Sequence, residues 1–327
     1  MTRTAGLGGV ALVTGASGFI GTRLVQRLAS VGRRVRALDI VAPRSVLPGI
    51  EYCTADVRRA LPLDLGRDVS VIYNLAAVHK TPGHPAQAYY DTNVNGATYV
   101  TALARGCGIA KIVFTSSISV YGPCEARVSE GTHPAPTSDY GKSKLMAEGI
   151  HRQWQARDDA NRLVIVRPGV VFGPGEGGNF TRLARALRWG YFAYPGRRDT
   201  IKACGHVDEL LGALDFALSR DEARILFNFA YPDEATLEQI VGAFGAVAGY
   251  GAARPSVPLA LMMKMAGLFE ALNGAGLRNP IHTDRILKLV QSTRVAPVWL
   301  TQQGYGFKTD LRRALQVWRD ETGGAFV

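Results

Sequence analysis

Tyr140 and Lys144 stand four residues apart, so on a helix they share one face a turn apart. In that arrangement the lysine ammonium can stabilise the phenolate that a tyrosine needs if it is to act as a base. A serine cluster, Ser116 and Ser117, closes an apolar run upstream of the pair. Near the start of the chain Gly15-x-x-Gly18-x-x-Gly21 lies between an apolar run and a helical pattern. Small residues there allow a tight turn and let backbone N–H groups approach a pyrophosphate. Neither spacing means much alone; the strand-turn-helix context of the glycines and the order glycine turn, serine cluster, Tyr-Lys pair carry the reading. Asp39, eighteen residues past Gly21, ends the second apolar run, where a carboxylate accepts hydrogen bonds from ribose hydroxyls and repels a 2′-phosphate. That favours NAD, while Arg33, Arg34, Arg36 and Arg44 nearby keep NADP open. Asp56 and Val57 follow the third strand and either meet the adenine edge or belong to an ordinary loop.

The elements that must position these groups follow from hydrophobic periodicity. Val10 to Thr14 reads as a buried strand, Gly18 to Val31 as a helix with Leu24, Val25 and Leu28 inward, and Arg34 to Ile40 as the next strand. Strands near Val69 to Leu75, Lys111 to Ser116 and Arg162 to Arg167 alternate with helices over Ala86 to Arg105 and Tyr140 to Gln155. Such alternation predicts a Rossmann-type, doubly wound parallel sheet. After Pro168 the texture changes to a glycine-rich loop, Gly173 to Gly178, a helix to about Trp189 and irregular Pro/Gly segments. The expected division is a cofactor domain over residues 1–170, joined by a late strand at 225–229, and a smaller C-terminal α/β substrate-binding lobe over 171–327. His206-Val207-Asp208 reads as a helix entry with Asp208 as cap.

Composition narrows the classes. No run of eighteen apolar residues occurs; the nearest, Val257 to Leu277, is interrupted by Lys264 and Glu270 and reads as a packed helix. The first residues lack a signal-peptide pattern, and a cytoplasmic protein is expected. The four cysteines form no CxxC and the six histidines no HExxH, so neither disulfides nor a metal are expected. The net charge of +11 is spread along the chain without a nucleic-acid reading module. It reads first as a solvated basic surface, then as attraction for anionic diphosphates, and last as peripheral association with an anionic membrane.

Taken together, VTGASGFIG (13–21), NLAA (74–77), YYDTNVNG (89–96), FTSSISVYG (114–122), YGKSK (140–144) and VRPGVVFGPG (166–175) resemble the extended short-chain dehydrogenase/reductase family, within it the NAD-dependent nucleotide-sugar epimerases and dehydratases. The resemblance implies Ser117, Tyr140 and Lys144 as catalytic residues. It implies a cofactor site from Gly15, Gly18, Phe19, Ile20, Gly21, Asp39, Asp56, Val57, Leu75, Ala76, Ala77, Asn93, Thr115, Tyr140, Lys144, Pro168 and Val170. It implies His79 or Lys80 at the nicotinamide-side ribose, substrate contacts from His79, Ser117, Asn179, Lys202 and Arg285, the last three at the substrate diphosphate, and a homodimer through the helices near 86–105 and 140–155.

The expected activity is epimerisation of a nucleotide-linked hexose, UDP-hexose first, at C4 through a transient ketone. In it Tyr140, its pKa drawn down by Lys144 and the cationic nicotinamide, removes the hydroxyl proton. Where dehydratases of the family carry an Asp-Glu pair after the catalytic Thr, this chain has Ile118 and Ser119, which disfavours dehydration. Val170 replaces an Asn that many sugar-modifying relatives use, leaving the sugar open. A nucleotide-sugar dehydrogenase or keto-reductase, a sterol- or isoprenoid-type dehydrogenase, and a non-catalytic dinucleotide sensor remain as alternatives.

Overall fold

The computed structural model describes residues 8–80, 83–251, 255–274 and 283–327. In chain order the first half runs β1 (Val10–Thr14), α1 (Phe19–Ser30), β2 (Val35–Asp39), β3 (Ile50–Thr54), β4 (Val69–Asn74), α2 (Ala86–Tyr90), α3 (Gly96–Gly106), β5 (Lys111–Thr115), β6 (Cys124–Val128) and α4 (Asp139–Gln155). There follow β7 (Arg162–Pro168), β8 (Val170–Phe172), α5 (Asn179–Arg188), β9 (Tyr194–Pro195), β10 (Cys204–His206), α6 (Val207–Leu218), β11 (Arg224–Phe229) and α7 (Leu237–Ala248). The chain closes with β12 (Ser256–Val257), α8 (Leu259–Gly274), α9 (Thr283–Val290), β13 (Thr293–Val295), α10 (Val298–Gln302) and α11 (Leu311–Glu321).

Seven strands form one sheet in the order β11-β7-β5-β4-β1-β2-β3, and the pairings from β7 across to β3 are parallel. The order reverses beside β1, which puts the crevice above the carboxyl ends of β1 and β4, the place where a doubly wound sheet binds its ligand. Every residue of β1 is buried, as continuous apolar strands covered on both faces require.

The chain divides into two compact units: 1–122, 132–168 and 210–228 in the first, 123–131, 169–209 and 229–327 in the second. The main boundary falls between 168 and 169, with 210–228 returning to the first unit and 123–131 lying in the second. α6 joins β11 in the first unit, and β6 belongs to the second through its pairing with β13. The second unit has its own aromatic core, in which Phe172 stacks on Phe180 at 4.4 Å and Phe244, Trp318 and Phe326 close around them. Two readings of single elements change. Asp208 lies inside the first turn of α6, an acid at the positive end of the helix dipole, and does not cap it. The helix expected over Ala86 to Arg105 is broken by a π-helical turn, Asp91–Asn95.

Besides Ala147 and Trp154 in the apolar core, polar contacts hold α4 on the sheet. Ser138 caps it by accepting from the Gly141 amide at 3.1 Å. Its fully buried Glu148 accepts from Arg167 of β7 through two guanidinium nitrogens at 2.8 and 2.7 Å, from Ser116 Oγ at 2.6 Å and from Arg152 at 2.7 Å. Arg167 also donates to the Tyr121 hydroxyl at 2.8 Å, which donates to Asn228 Oδ1 at 2.9 Å. One turn further along α4, His151 stacks on Phe114 of β5 at 4.2 Å. Burial pushes its pKa down to about 4, so the ring is neutral, accepting from Asn74 of β4 at 3.2 Å and donating to the Ala147 carbonyl at 2.7 Å.

Removing one member of a buried ion pair strands the other. Arg167→Leu is expected to cost about 3 kcal/mol or more, and the double variant Glu148→Gln, Arg167→Met to recover much of that loss. Urea unfolding read by circular dichroism checks it; a loss under about 1 kcal/mol for Arg167→Leu would show that the pair does not anchor the helix.

Candidate active site

The glycine turn is shaped by contact. Gly15 has φ +70°, and a Cβ there would lie 2.7 Å from the Ala76 amide nitrogen. A Cβ on Gly21 would collide with the Gly15 carbonyl, so α1 starts close against the end of β1 only because both are glycine. Gly18 is the N-cap of α1 and offers no side chain, and the first turn, which includes Phe19 and Ile20, holds no acid. The positive end of the helix is left open for an anion. Beside it the Leu75 amide donates to the Thr14 carbonyl at 3.2 Å and the Ala76 amide to Thr14 Oγ1 at 3.4 Å, which sets the backbone leading to Ala77.

Asp39 sits at the tip of β2, its carboxylate accepting from the Ser17 amide at 2.9 Å and the Val41 amide at 3.1 Å. Two arginines that kept a 2′-phosphate open are committed elsewhere. Arg33 donates to Ser70 Oγ at 2.6 Å, and Arg36 is spent on the Leu65 and Arg67 carbonyls and Glu51. Asp56 forms a two-pronged pair with Arg58, which holds its carboxyl below the usual range. Val57 is buried against Gly96 at the start of α3. The Thr115 hydroxyl is buried with no partner among the described residues. An open helix N-terminus, a glycine cradle that a Cβ would fill, a fixed carboxylate and an orphaned hydroxyl together fit a dinucleotide with free ribose hydroxyls.

Around the reacting groups, Gly141 is the residue that brings two elements together: a Cβ there would strike the Ser119 carbonyl, so its absence lets α4 press onto the 3₁₀ turn Ile118–Tyr121. Ser117 caps that turn, its Oγ accepting from the Ser119 amide at 3.1 Å and donating to Ser119 Oγ at 3.1 Å, and its hydroxyl favours the Tyr140 phenolate. Lys144 is buried, donates to the Thr115 carbonyl at 2.8 Å and lies 5.0 Å over the Phe114 ring. Burial pushes its pKa down to about 7, against the opposing pull of Glu148. His79 is solvent-exposed after β4; partial desolvation and the Lys144 charge both lower its pKa.

Tyr140 stands in the first turn of α4. In the ligand-free chain burial raises its pKa, more than the Ser117 hydroxyl lowers it, because a phenolate there would lose its water. Asn93 is a lock: it accepts from the Val78 amide at 3.1 Å and donates to the Val78 carbonyl and to Ser143 Oγ, at 3.2 and 2.9 Å. The π-helical turn thereby ties the loop after β4 to the turn of α4 between Tyr140 and Lys144. Glu148, Arg167, Gly141 and Ser143 escaped the motif reading. Glu148 continues the four-residue spacing of Tyr140 and Lys144, and Arg167 is a charge inside an apolar strand, which calls for a buried partner.

Of the remaining positions, Pro168 ends β7 in the first unit and Val170 opens β8 in the second, its amide donating to the Ala203 carbonyl at 2.8 Å. Lys202 is engaged within its own unit. Its ammonium donates to the Lys288 and Gln291 carbonyls at 2.5 and 2.6 Å, capping the C-terminal end of α9, and burial draws its pKa down to about 8. Asn179 opens α5 and accepts from Arg182 at 2.8 Å, while Glu176 takes the Thr181 amide at 2.9 Å, an anion already seated at that helix end. Arg285 lies on α9, but its side chain falls outside the described residues.

Residues 11–229 match the NAD dependent epimerase/dehydratase family. The N-acetyl-α-D-glucosaminyl-diphospho-ditrans,octacis-undecaprenol 4-epimerase of Escherichia coli O157:H7 is 33% identical over 70% of this chain and 70% of its own length. The UDP-glucose 4-epimerase of Vibrio cholerae is 29% identical over 55% of this chain and 57% of its own. The structure of MoeE5 in complex with UDP-glucose and NAD superposes with a TM-score of 0.76 at 24% identity, over 98% of this chain and all of that one, a likeness of fold. With the glycine turn, the seven-stranded sheet and the Ser-Tyr-Lys group in place, the chain belongs to the NAD dependent epimerase/dehydratase family.

Proposed function

We propose that the protein inverts the C4 hydroxyl of a hexose carried on a diphosphate, a UDP-hexose first among candidates. The observation that carries this reading is Tyr140 in the first turn of α4, pressed by Gly141 onto the turn that Ser117 caps and one helical turn from buried Lys144, at the end of a strand whose neighbour leads into the dinucleotide cradle. Tyr140 takes the proton from the substrate hydroxyl, Ser117 holds the same oxygen, and Lys144 in its charged form stabilises the phenolate. Bound NAD supplies reversible acceptance of the hydride from the sugar carbon. The ketone then presents its other face, the hydride returns, and Tyr140 gives its proton back, so no net oxidation results. A second reading draws on the E. coli relative, whose name specifies a sugar on undecaprenol diphosphate; the diphosphate-linked hexose is common to both. Within this account the protein works in the cytoplasm as a homodimer through α2, α3 and α4, where Met146 is exposed, and supplies polysaccharide precursors.

NMR of UDP-, GDP- and dTDP-hexoses with the protein and catalytic NAD is expected to reveal a new ring stereoisomer without accumulating NADH. Accumulation of NADH with a keto product would make the protein a dehydrogenase. Tyr140→Phe should lose turnover by on the order of a thousandfold while still binding NAD; retention of turnover would remove Tyr140 from the role of base.

The Lys144 shift has its own sign. Because its folded pKa, about 7, lies below the ordinary 10.5, the folded chain binds fewer protons between those values, and this group makes the ligand-free protein more stable as pH rises through that window. Relative to Lys144→Met, the unfolding free energy of the wild type should therefore climb from pH 7 to 9. A difference that is flat or falling would contradict the buried, neutralised lysine.

A further inference from the structure

In the second unit α5 turns Phe180, Thr181, Ala184 and Leu187 inward and leaves Arg182, Arg185 and Arg188 exposed. Directly after it Trp189 is 72% and Tyr191 66% exposed. The strand that follows, β9, pairs with β12, the Tyr194 amide donating to the Pro255 carbonyl at 2.9 Å and the Gly196 amide to Val257 at 2.8 Å. β12 leads at once into α8, where Leu261 is 50% and Met265 51% exposed, with Lys264 exposed between them. Strand pairing thus joins two neighbouring segments that each carry large bare apolar side chains beside a base.

Their charge is one-sided. Residues 177–198 include five arginines and no acid, and residues 239–269 also hold no acid. Arg197 and Arg198 are paired with Asp199, Glu125 and Glu238, so Arg185, Arg188 and Lys264 are the bases that accompany the apolar groups. Exposed Trp and Tyr next to aliphatic side chains and cations have the composition that suits the headgroup level of a bilayer. A two-fold contact between copies would instead set this basic face against an identical basic face.

We propose that this face of the second unit docks on an anionic phospholipid bilayer, Trp189, Tyr191, Leu261 and Met265 entering the headgroup layer and Arg185, Arg188 and Lys264 meeting lipid phosphates. The inference stands on the surface alone and goes beyond the epimerase reading; a protein held there would also meet sugar diphosphates carried on lipid.

The test is co-sedimentation of the full chain with vesicles of phosphatidylcholine alone or with about a third phosphatidylglycerol, at low and high salt. Binding is expected on the anionic vesicles only and should weaken with salt. W189A/Y191A and, separately, L261Q/M265Q should each lower it on the order of tenfold, and R185Q/R188Q should flatten its salt dependence, with thermal midpoints unchanged to confirm folding. Absence of binding to anionic vesicles, or equal binding by the folded variants, overturns the proposal. So does loss of self-association in these variants by sedimentation velocity, which assigns the face to a second copy, or retention on polyglutamate without vesicle binding, which assigns it to an acidic protein. Since vesicle binding is read without substrate, its failure leaves the epimerase reading intact, and the reverse holds.

Discussion

Glu148 sits fully buried on the same face of α4 as Tyr140 and Lys144, and everything catalytic depends on how its charge is met. A carboxylate in that position requires Arg167 from β7, and geometry also gives it Ser116 from the end of β5 and Arg152 from its own helix. These bonds allow α4 one axial position against the sheet. A slide of a single turn would leave a charge without partners and would carry Tyr140 away from Ser117. Neutral His151, bonded to Asn74, ties the same helix to β4, and Gly141 lets its first turn reach the 3₁₀ turn that Ser117 caps.

The same burial that makes these ties firm sets the electrostatics. Lys144 is drawn down to about 7 and Tyr140 is raised, so without cofactor the pair tends toward the state with fewest charges. Glu148, one turn beyond Lys144, opposes this by favouring the ammonium. A cationic ring brought into the site favours the phenolate as well, so the base is produced by binding and not stored in the empty protein. Local spacing shows that Lys144 and a cationic ring favour the phenolate, but not the desolvation that opposes it in the ligand-free chain.

Much of the architecture was legible because it rests on local pattern. The apolar runs of β1, β4, β5 and β7, the glycine turn and the Tyr140–Lys144 spacing each follow from a few adjacent residues. Partners far apart in the chain were not. Glu148 and Arg167 meet across nineteen positions, and the Asn93–Ser143 lock spans fifty. The bonds of Lys202 to two backbone carbonyls at the end of α9 likewise join positions far apart in the chain. The π-helical turn at Asp91–Asn95 was hidden inside a pattern that reads as one continuous helix. Arg167 did leave a trace, since a charge within Leu-Val-Ile-Val-Arg-Pro has to be answered inside the fold.

The central claim is that hydride leaves C4 of the sugar and returns to the same carbon while Tyr140 carries only the hydroxyl proton. A UDP-hexose deuterated at C4, turned over in ordinary water and followed by NMR, separates that route from removal of a carbon-bound proton by a base. Full retention of deuterium at C4 in the epimer is the predicted result; exchange of that deuterium with solvent would contradict the account.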